Sequence, residues 1–189
     1  MDFYTADNHF RHKNIQIYCP DRPGPGIEKH DKEQTDGWNS VVTSVDRVTV
    51  CGDFAFADID VIAAILKKLN GEKHLIVGNH DKHPWADYIR AGFASVQRYK
   101  ILNIPGVGPV GLAHDPATCI LDSNIPWLVG HLHQQFLRMG NAINVGVDVR
   151  GFKPVSLVEL EKDFMIAKLH IKGDKNAVAM AKKEILGIE

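Results

Sequence analysis

Two short β-branched strands with one amphipathic helix between them constrain this chain most, because both strands stop at glycine followed by polar residues. Arg47–Cys51 reads Arg-Val-Thr-Val-Cys and ends at Gly52-Asp53. A second strand of buried type, at 74–77, ends at Gly78-Asn79-His80-Asp81. Between them Ile59, Ile62, Leu66 and Leu69 step by three, four and three residues. Asp58 precedes them as an N-cap, and Asn70-Gly71 follows as a stop signal. Strand, helix and strand in that order form a βαβ unit, whose sites gather outside the carboxyl ends of the strands.

The rest of the chain fits around that unit. A strand is expected at 2–5, ending at Asp7-Asn8-His9, and a polar helix within 29–43 carries Trp38, Val41 and Val42 inward. The Pro/Gly-dense stretch 20–26 reads as a surface loop. After a short helix at Trp85–Ala91 the pattern turns mostly to strands, at 96–104, 108–113, Trp127–Val129, 142–147 and 155–160. A terminal helix is expected at 177–186. Gly106, Gly108 and Gly111 lack the Lys-Ser/Thr of a phosphate-binding loop and read as turns. Trp38, Trp85 and Trp127 read as core or loop anchors. The pattern implies an α/β fold with two packed sheets and helices outside, in a single domain spanning 1–189.

Composition narrows the functional classes. Hydrophobic residues make up 44% of 189 residues, enough for a core without disulfides or other staples. Twenty-two basic against 23 acidic residues leave a net charge of −1, so no global field draws the chain to nucleic acid or anionic membrane. Neither a signal-peptide pattern nor a membrane-length apolar run is found. Cys19, Cys51 and Cys119 lack CxxC spacing and suggest neither a disulfide framework nor a thiolate zinc site, as expected of a cytoplasmic protein. The unusual number is ten histidines.

Five of those histidines fall at strand ends beside other metal-ligand types: Asp7-Asn8-His9, Gly52-Asp53, Gly78-Asn79-His80-Asp81, His114 and Gly130-His131-Leu132-His133. Period-two alternation in extended chain would point Asp7 and His9 the same way, and likewise His131 and His133. Carboxylate, amide oxygen and imidazole without cysteine suit manganese, iron, cobalt or zinc. Such a donor set over-fills one ion and suits two sharing a carboxylate. Two divalent ions with Asp7, Asp53 and a bridging hydroxide would keep a net charge of about +1, which favours a phosphate substrate.

D-x-H, G-D, G-N-H-D, a lone histidine after a later strand, and G-H-x-H, in this order, closely resemble the calcineurin-like metallophosphoesterases. The flanks Gly52-Asp53-Phe54-Ala55-Phe56 and Asn144-Val145-Gly146-Val147-Asp148 resemble a small bacterial and phage-type subgroup. The resemblance runs from the N-terminus to about Leu160. It implies a four-layer α/β/β/α sandwich of two mixed sheets flanked by helices. It implies two divalent ions, manganese first, with iron, zinc, nickel or cobalt as alternatives. Asp7, His9, Asp53 and His133 would hold one ion; Asp53, Asn79, His114 and His131 would hold the other. His80 would face the phosphate and act with Asp53 in catalysis, and the metal-bridging hydroxide would be the nucleophile in phosphomonoester or phosphodiester hydrolysis.

The chain departs from the family pattern in two places. The residue after D-x-H-F is often small in the subgroup, whereas here Arg11 stands as a candidate phosphate contact. Segment 52–57 lacks the Asp and Arg that extend the motif in protein phosphatases, which argues against that role. Two alternatives are a non-catalytic protein-interaction module on the same scaffold and a nuclease. Retention of His80 and of the whole ligand set opposes the first, and the near-neutral charge gives the second no support. His12, His30, His74, His83 and His170 read as ordinary surface or core groups. Asp81 reads as either a partner of the site or an exposed group. The C-terminal lysines, 182 and 183 among them, read as a solvated face.

Overall fold

The computed structural model describes residues 1–176 and 180. The first sheet is built from β1 (Asp2–Thr5), β2 (Arg47–Cys51), β3 (Glu72–Ile76), β4 (Ser95–Gln97) and β10 (Val155–Ser156). Its order is β10-β1-β2-β3-β4, with β1 to β4 parallel and β10 antiparallel at the edge. The second sheet takes β5 (Lys100–Ile104), β6 (Gly108–Leu112), β7 (Trp127–Val129), β8 (Arg138–Met139) and β9 (Ala142–Asn144) in the order β5-β6-β7-β9-β8. Here β6, β7 and β9 run parallel, and both edge strands are antiparallel. Both sheets are therefore mixed, as expected.

Alternation within the strands divides the core. Tyr4, Cys51 and Ile76 of the first sheet meet Val110, Leu112, Leu128 and Ile143 of the second. Phe3, Val48, Val50 and Leu75 point the other way. They are covered by α2 (Ile27–Val41), α3 (Ile59–Lys68) and α4 (Trp85–Ala91) through Trp38, Ile62, Leu66 and Tyr88. The outer face of the second sheet is covered differently. Trp127, Val129 and Ala142 pack against Cys119 of a 3-10 segment, Pro116–Leu121, and against Ile125. Helix α5 (Glu161–Ile171) lies beside β9 and adds Phe164 and Ala167 to the core between the sheets. The result is an α/β sandwich whose helical cover is heaviest on one side.

Several expectations need correction. The strand expected at 96–104 is two strands, because the chain leaves the first sheet after Gln97 and enters the second at Lys100. Helices α1 (Ile15–Tyr18) and α5 and strand β8 were not expected from the sequence. Gly111 is not a turn but part of β6, where a Cβ would lie 2.2 Å from the Trp127 ring. Trp85 is 49% exposed, whereas Trp38 and Trp127 are buried. Asp58 precedes α3 as expected, yet its side chain makes no capping hydrogen bond. The helix expected at 177–186, and lysines 182 and 183, lie outside the described residues.

Candidate metal centre

The strand-end residues converge, but not by continuing the strands. Asp7, His9, Asp53, His131 and His133 all have positive φ, between 48° and 73°. Each costs a non-glycine residue about 1 kcal/mol or more, and such strain collects where a site dictates the backbone. Extended period-two geometry is therefore not what aims these side chains. Left-handed residues alternate with others at 7 and 9 and again at 131 and 133.

Backbone hydrogen bonds fasten these loops to one another. Asp7 N donates to Gly52 O at 3.0 Å and His9 N to Asp53 O at 3.0 Å. His131 N donates to the Asp7 carboxylate at 3.0 Å, and His80 N donates to Asp53 Oδ1 at 2.8 Å. The neighbouring glycines make room for the carboxylates. A Cβ on Gly78 would lie 2.2 Å from Asp53 Oδ1, and one on Gly130 would lie 2.6 Å from Asp7 Oδ2. Asp81 is buried and accepts from the N–H groups of Asp53, Phe54 and Gly78, so it ties two of the loops together.

Among the described residues, three groups of side chains come close enough to hold a cation: Asp7 with His9 and His133, Asp7 with Asp53 and His114, and Cys19 with His133 and Asp148. The first two share Asp7. Asp53 links them as well, because its Oδ2 lies 3.6 Å from His9 Nε2 and 3.3 Å from His114 Nε2. Asn79 Oδ1 lies 2.9 Å from His114 Nε2 and 3.0 Å from His131 Nδ1. All seven expected ligands thus meet in one cluster. The third group is already served by a cation, since Arg22 Nε and Nη2 bind both oxygens of Asp148 at 2.7 and 2.6 Å.

The donor chemistry fits a metal. His9 Nε2 is buried and has no hydrogen-bond partner among the described residues, an arrangement that normally needs a ligand to repay it. Burial lowers the His9 pKa to about 2, so the ring stays neutral with its lone pair available. His114 Nδ1 donates to the Cys51 carbonyl at 2.9 Å, which aims Nε2 at Asp53 and Asn79; burial would lower its pKa, yet Asp53 and Asp7 raise it to about 9. Burial raises the Asp7 pKa, opposed by His114 and His133. Burial also opposes ionisation of Asp53, but His114 and the His80 N–H outweigh it and bring that carboxyl to about 2. Residue groups that could hold metal ions are therefore present.

Other side chains fall less close to expectation. His80 is half-buried, with its ring centroid 5.4 Å from that of His9. Arg11 turns away to Asp31 and Glu28, at 3.6 and 3.7 Å, and lines a groove between α2 and α3 with no candidate ligand in its walls. Arg98 instead lines a cleft of about 370 Å³ with Asn79, His114 and His131. His12 lies 3.3 Å from His9, nitrogen to nitrogen, and stacks on Phe56. Arg22, expected on a surface loop, has a fully buried side chain that also donates to the carbonyls of Asp7 and Asn8. No local signal separates Arg22 from an ordinary loop arginine.

No family model matches the chain. Over 165 residues it is 31% identical to the uncharacterized protein MJ1445 of Methanocaldococcus jannaschii, covering 82% of this chain and 86% of that one. The chain belongs to the family of that protein. Its fold is similar to the crystal structure of the protein of unknown function AQ665 from Aquifex aeolicus, with a TM-score of 0.71 and 24% identity. That match covers 86% of this chain and 98% of the other, and it bears on the fold alone. Among the described residues no helix is long and apolar enough to cross a membrane.

Proposed function

We propose that this chain is a metal-dependent phosphoester hydrolase of the calcineurin-like metallophosphoesterase type, with a dinuclear centre best served by manganese. One observation carries the reading. Asp53 Oδ2 sits between His9 Nε2, which is buried with no hydrogen-bond partner among the described residues, and His114 Nε2. A carboxylate oxygen flanked by imidazole nitrogens from two separate ligand groups is what two neighbouring ions sharing Asp53 require. Asp7, His9 and His133 complete one side; Asn79, His114 and His131 complete the other.

Two divalent ions so held would polarise a phosphoryl group and activate water as the attacking nucleophile. The remaining work falls to the chain itself. The His80 backbone N–H holds Asp53 Oδ1, which leaves Oδ2 for the ions. The His80 ring lines the open cleft beside the centre, where it can donate a proton to a departing alkoxide or stabilise charge on the phosphoryl oxygens. Arg11, paired with Asp31 and Glu28, is not placed to contact the anion, and Arg98 stands at the edge of the neighbouring cleft.

The test is turnover of nitrophenyl phosphate, bis(nitrophenyl) phosphate and cyclic nucleotides by protein reconstituted with Mn²⁺, alongside elemental analysis. Metal-dependent hydrolysis of any of these is expected. Protein carrying its full metal complement and hydrolysing none of them would overturn the reading.

A further inference from the structure

The loops after β1 and β2 do more than carry ligands. Phe10 N donates to Phe54 O at 3.0 Å and Phe56 N donates to Phe10 O at 2.8 Å, so the two loops are zipped side by side. That pairing stacks Phe56 on His12, with ring centroids 4.6 Å apart and planes 17° from parallel. His80 lies 5.3 Å from Phe56 on one side, and Tyr18 lies 6.2 Å from His12 on the other. Phe56 and Tyr18 are 48% and 64% exposed. A single exposed phenylalanine needs no explanation, but a stacked aromatic group at the rim of a polar centre is a different matter.

Beside this group lies a cleft of about 420 Å³, lined by Phe56, Asp58, His80, Lys82 and His83. Its size lies within the roughly 300–1,000 Å³ usual for small-ligand sites. His83 Nε2 donates to the Ala57 carbonyl at 2.8 Å, which fixes the ring in that wall. Asp58 lines the same cleft, and its side chain makes no capping hydrogen bond to α3. One cleft thus offers a flat aromatic face, a hydroxyl acceptor and a cation, next to the proposed phosphoryl site. A base, a sugar hydroxyl and a phosphate are the complementary parts.

We infer that the His12–Phe56 stack is a base-binding platform, and that the preferred substrates are nucleoside phosphoesters whose base lies on Phe56. The inference rests on the phosphoesterase reading for the position of the phosphate. The experiment measures binding, so that the two stand or fall separately. Manganese-loaded protein is titrated calorimetrically with the uncleavable 5′-methylenephosphonate of adenosine and, in parallel, with methylphosphonate.

Base stacking of this kind is expected to favour the adenosine compound by about tenfold or more. Phe56→Leu keeps apolar bulk without the ring and should cut that preference to below about twofold, while Phe56→Trp should retain it. Metal content, measured on each variant, should not change. Equal affinity for the two phosphonates, absence of binding by either, or a preference untouched by Phe56→Leu would overturn the inference. Binding as described without turnover of any ester would count against the hydrolase alone.

Discussion

Arg22 and Asp148, 126 residues apart, form a buried two-pronged ion pair whose oxygen Oδ2 also accepts from His133 Nδ1 at 2.9 Å. The shared oxygen fixes the ring of His133, which joins Asp7 and His9 in one of the cation-holding groups. Burial would lower the pKa of His133, yet Asp148 raises it to about 10. Asp148 is held down to about 2 by His133 and Arg22 against its own burial.

Asp148→Asn should therefore weaken metal binding about 10- to 100-fold, the usual cost of losing a ligand's supporting partner. A metal titration of the variant checks this, with circular dichroism to confirm the fold. Arg22→Met should be worse for stability, because it strands a buried carboxylate; breaking a buried pair costs about 3–5 kcal/mol. A metal affinity unchanged in Asp148→Asn would remove the positioning role assigned to Asp148.

The wild-type chain should bind about two equivalents of Mn²⁺, and His133→Ala about one, since His133 belongs to only one of the two groups joined by Asp53. Elemental analysis after reconstitution reads both values. A fully active protein with one ion per chain would sink the dinuclear mechanism.

Away from the site, Glu159 Oε2 accepts from Ser156 N at 2.8 Å and from Ser156 Oγ at 2.6 Å, closing the turn between β10 and α5. The Ser156 hydroxyl holds the Glu159 pKa below its ordinary value of 4.5 against the effect of burial. A depressed folded-state pKa gives stability that is present above pH 4.5 and lost as pH falls through the folded value. Ser156→Ala should cost about 1 kcal/mol near neutrality. Denaturant melts of the two proteins should draw together as the pH is lowered below 4.5. A gap of constant size across that range would show that Glu159 is not the partner that matters.

The sequence made the parts legible where the local pattern carries the information. Trp85–Ala91 and Trp127–Val129 fall where periodicity and β-branching put them. Helix α5 escaped because its buried face includes Asp163, which is satisfied by Arg138 and by Arg150 at 2.8 Å; a charge on the inner face hides the apolar stripe. The passage from β4 to β5 was invisible for another reason, since nothing local tells a strand which sheet it joins. The ligands were readable because each motif is contiguous in sequence. Arg22 and the His12–Phe56 stack exist only once separate loops have paired, so no window of sequence contains them.

Diester hydrolysis should be at least as fast as monoester hydrolysis. A dianionic monoester terminus is best held by a bidentate arginine. Arg11 is engaged with Glu28 and Asp31 instead, which leaves Arg98 at the edge of the neighbouring cleft. Comparing kcat/KM for bis(nitrophenyl) phosphate and nitrophenyl phosphate tests this directly. A clear monoester preference would reject it, and Arg11→Ala is expected to change neither value by more than about twofold.

His80→Asn should cut turnover by roughly a hundredfold or more while metal content stays intact, since general acid catalysis is typically worth about 10²–10⁴-fold. The expectation follows from position: the backbone N–H of His80 holds Asp53, whereas its ring stands in the cleft beside Phe56 and belongs to none of the cation-holding groups among the described residues. Asparagine keeps the backbone donor and removes only the ring. The leaving group then distinguishes the two ways the ring can act. If it delivers a proton, the defect should shrink for nitrophenolate, which departs unaided, and grow for an alkyl alkoxide. An equal defect for both would assign the ring to charge stabilisation on the phosphoryl oxygens. Loss of metal in parallel with activity would instead make His80 a ligand, and the proton-donor role would fall.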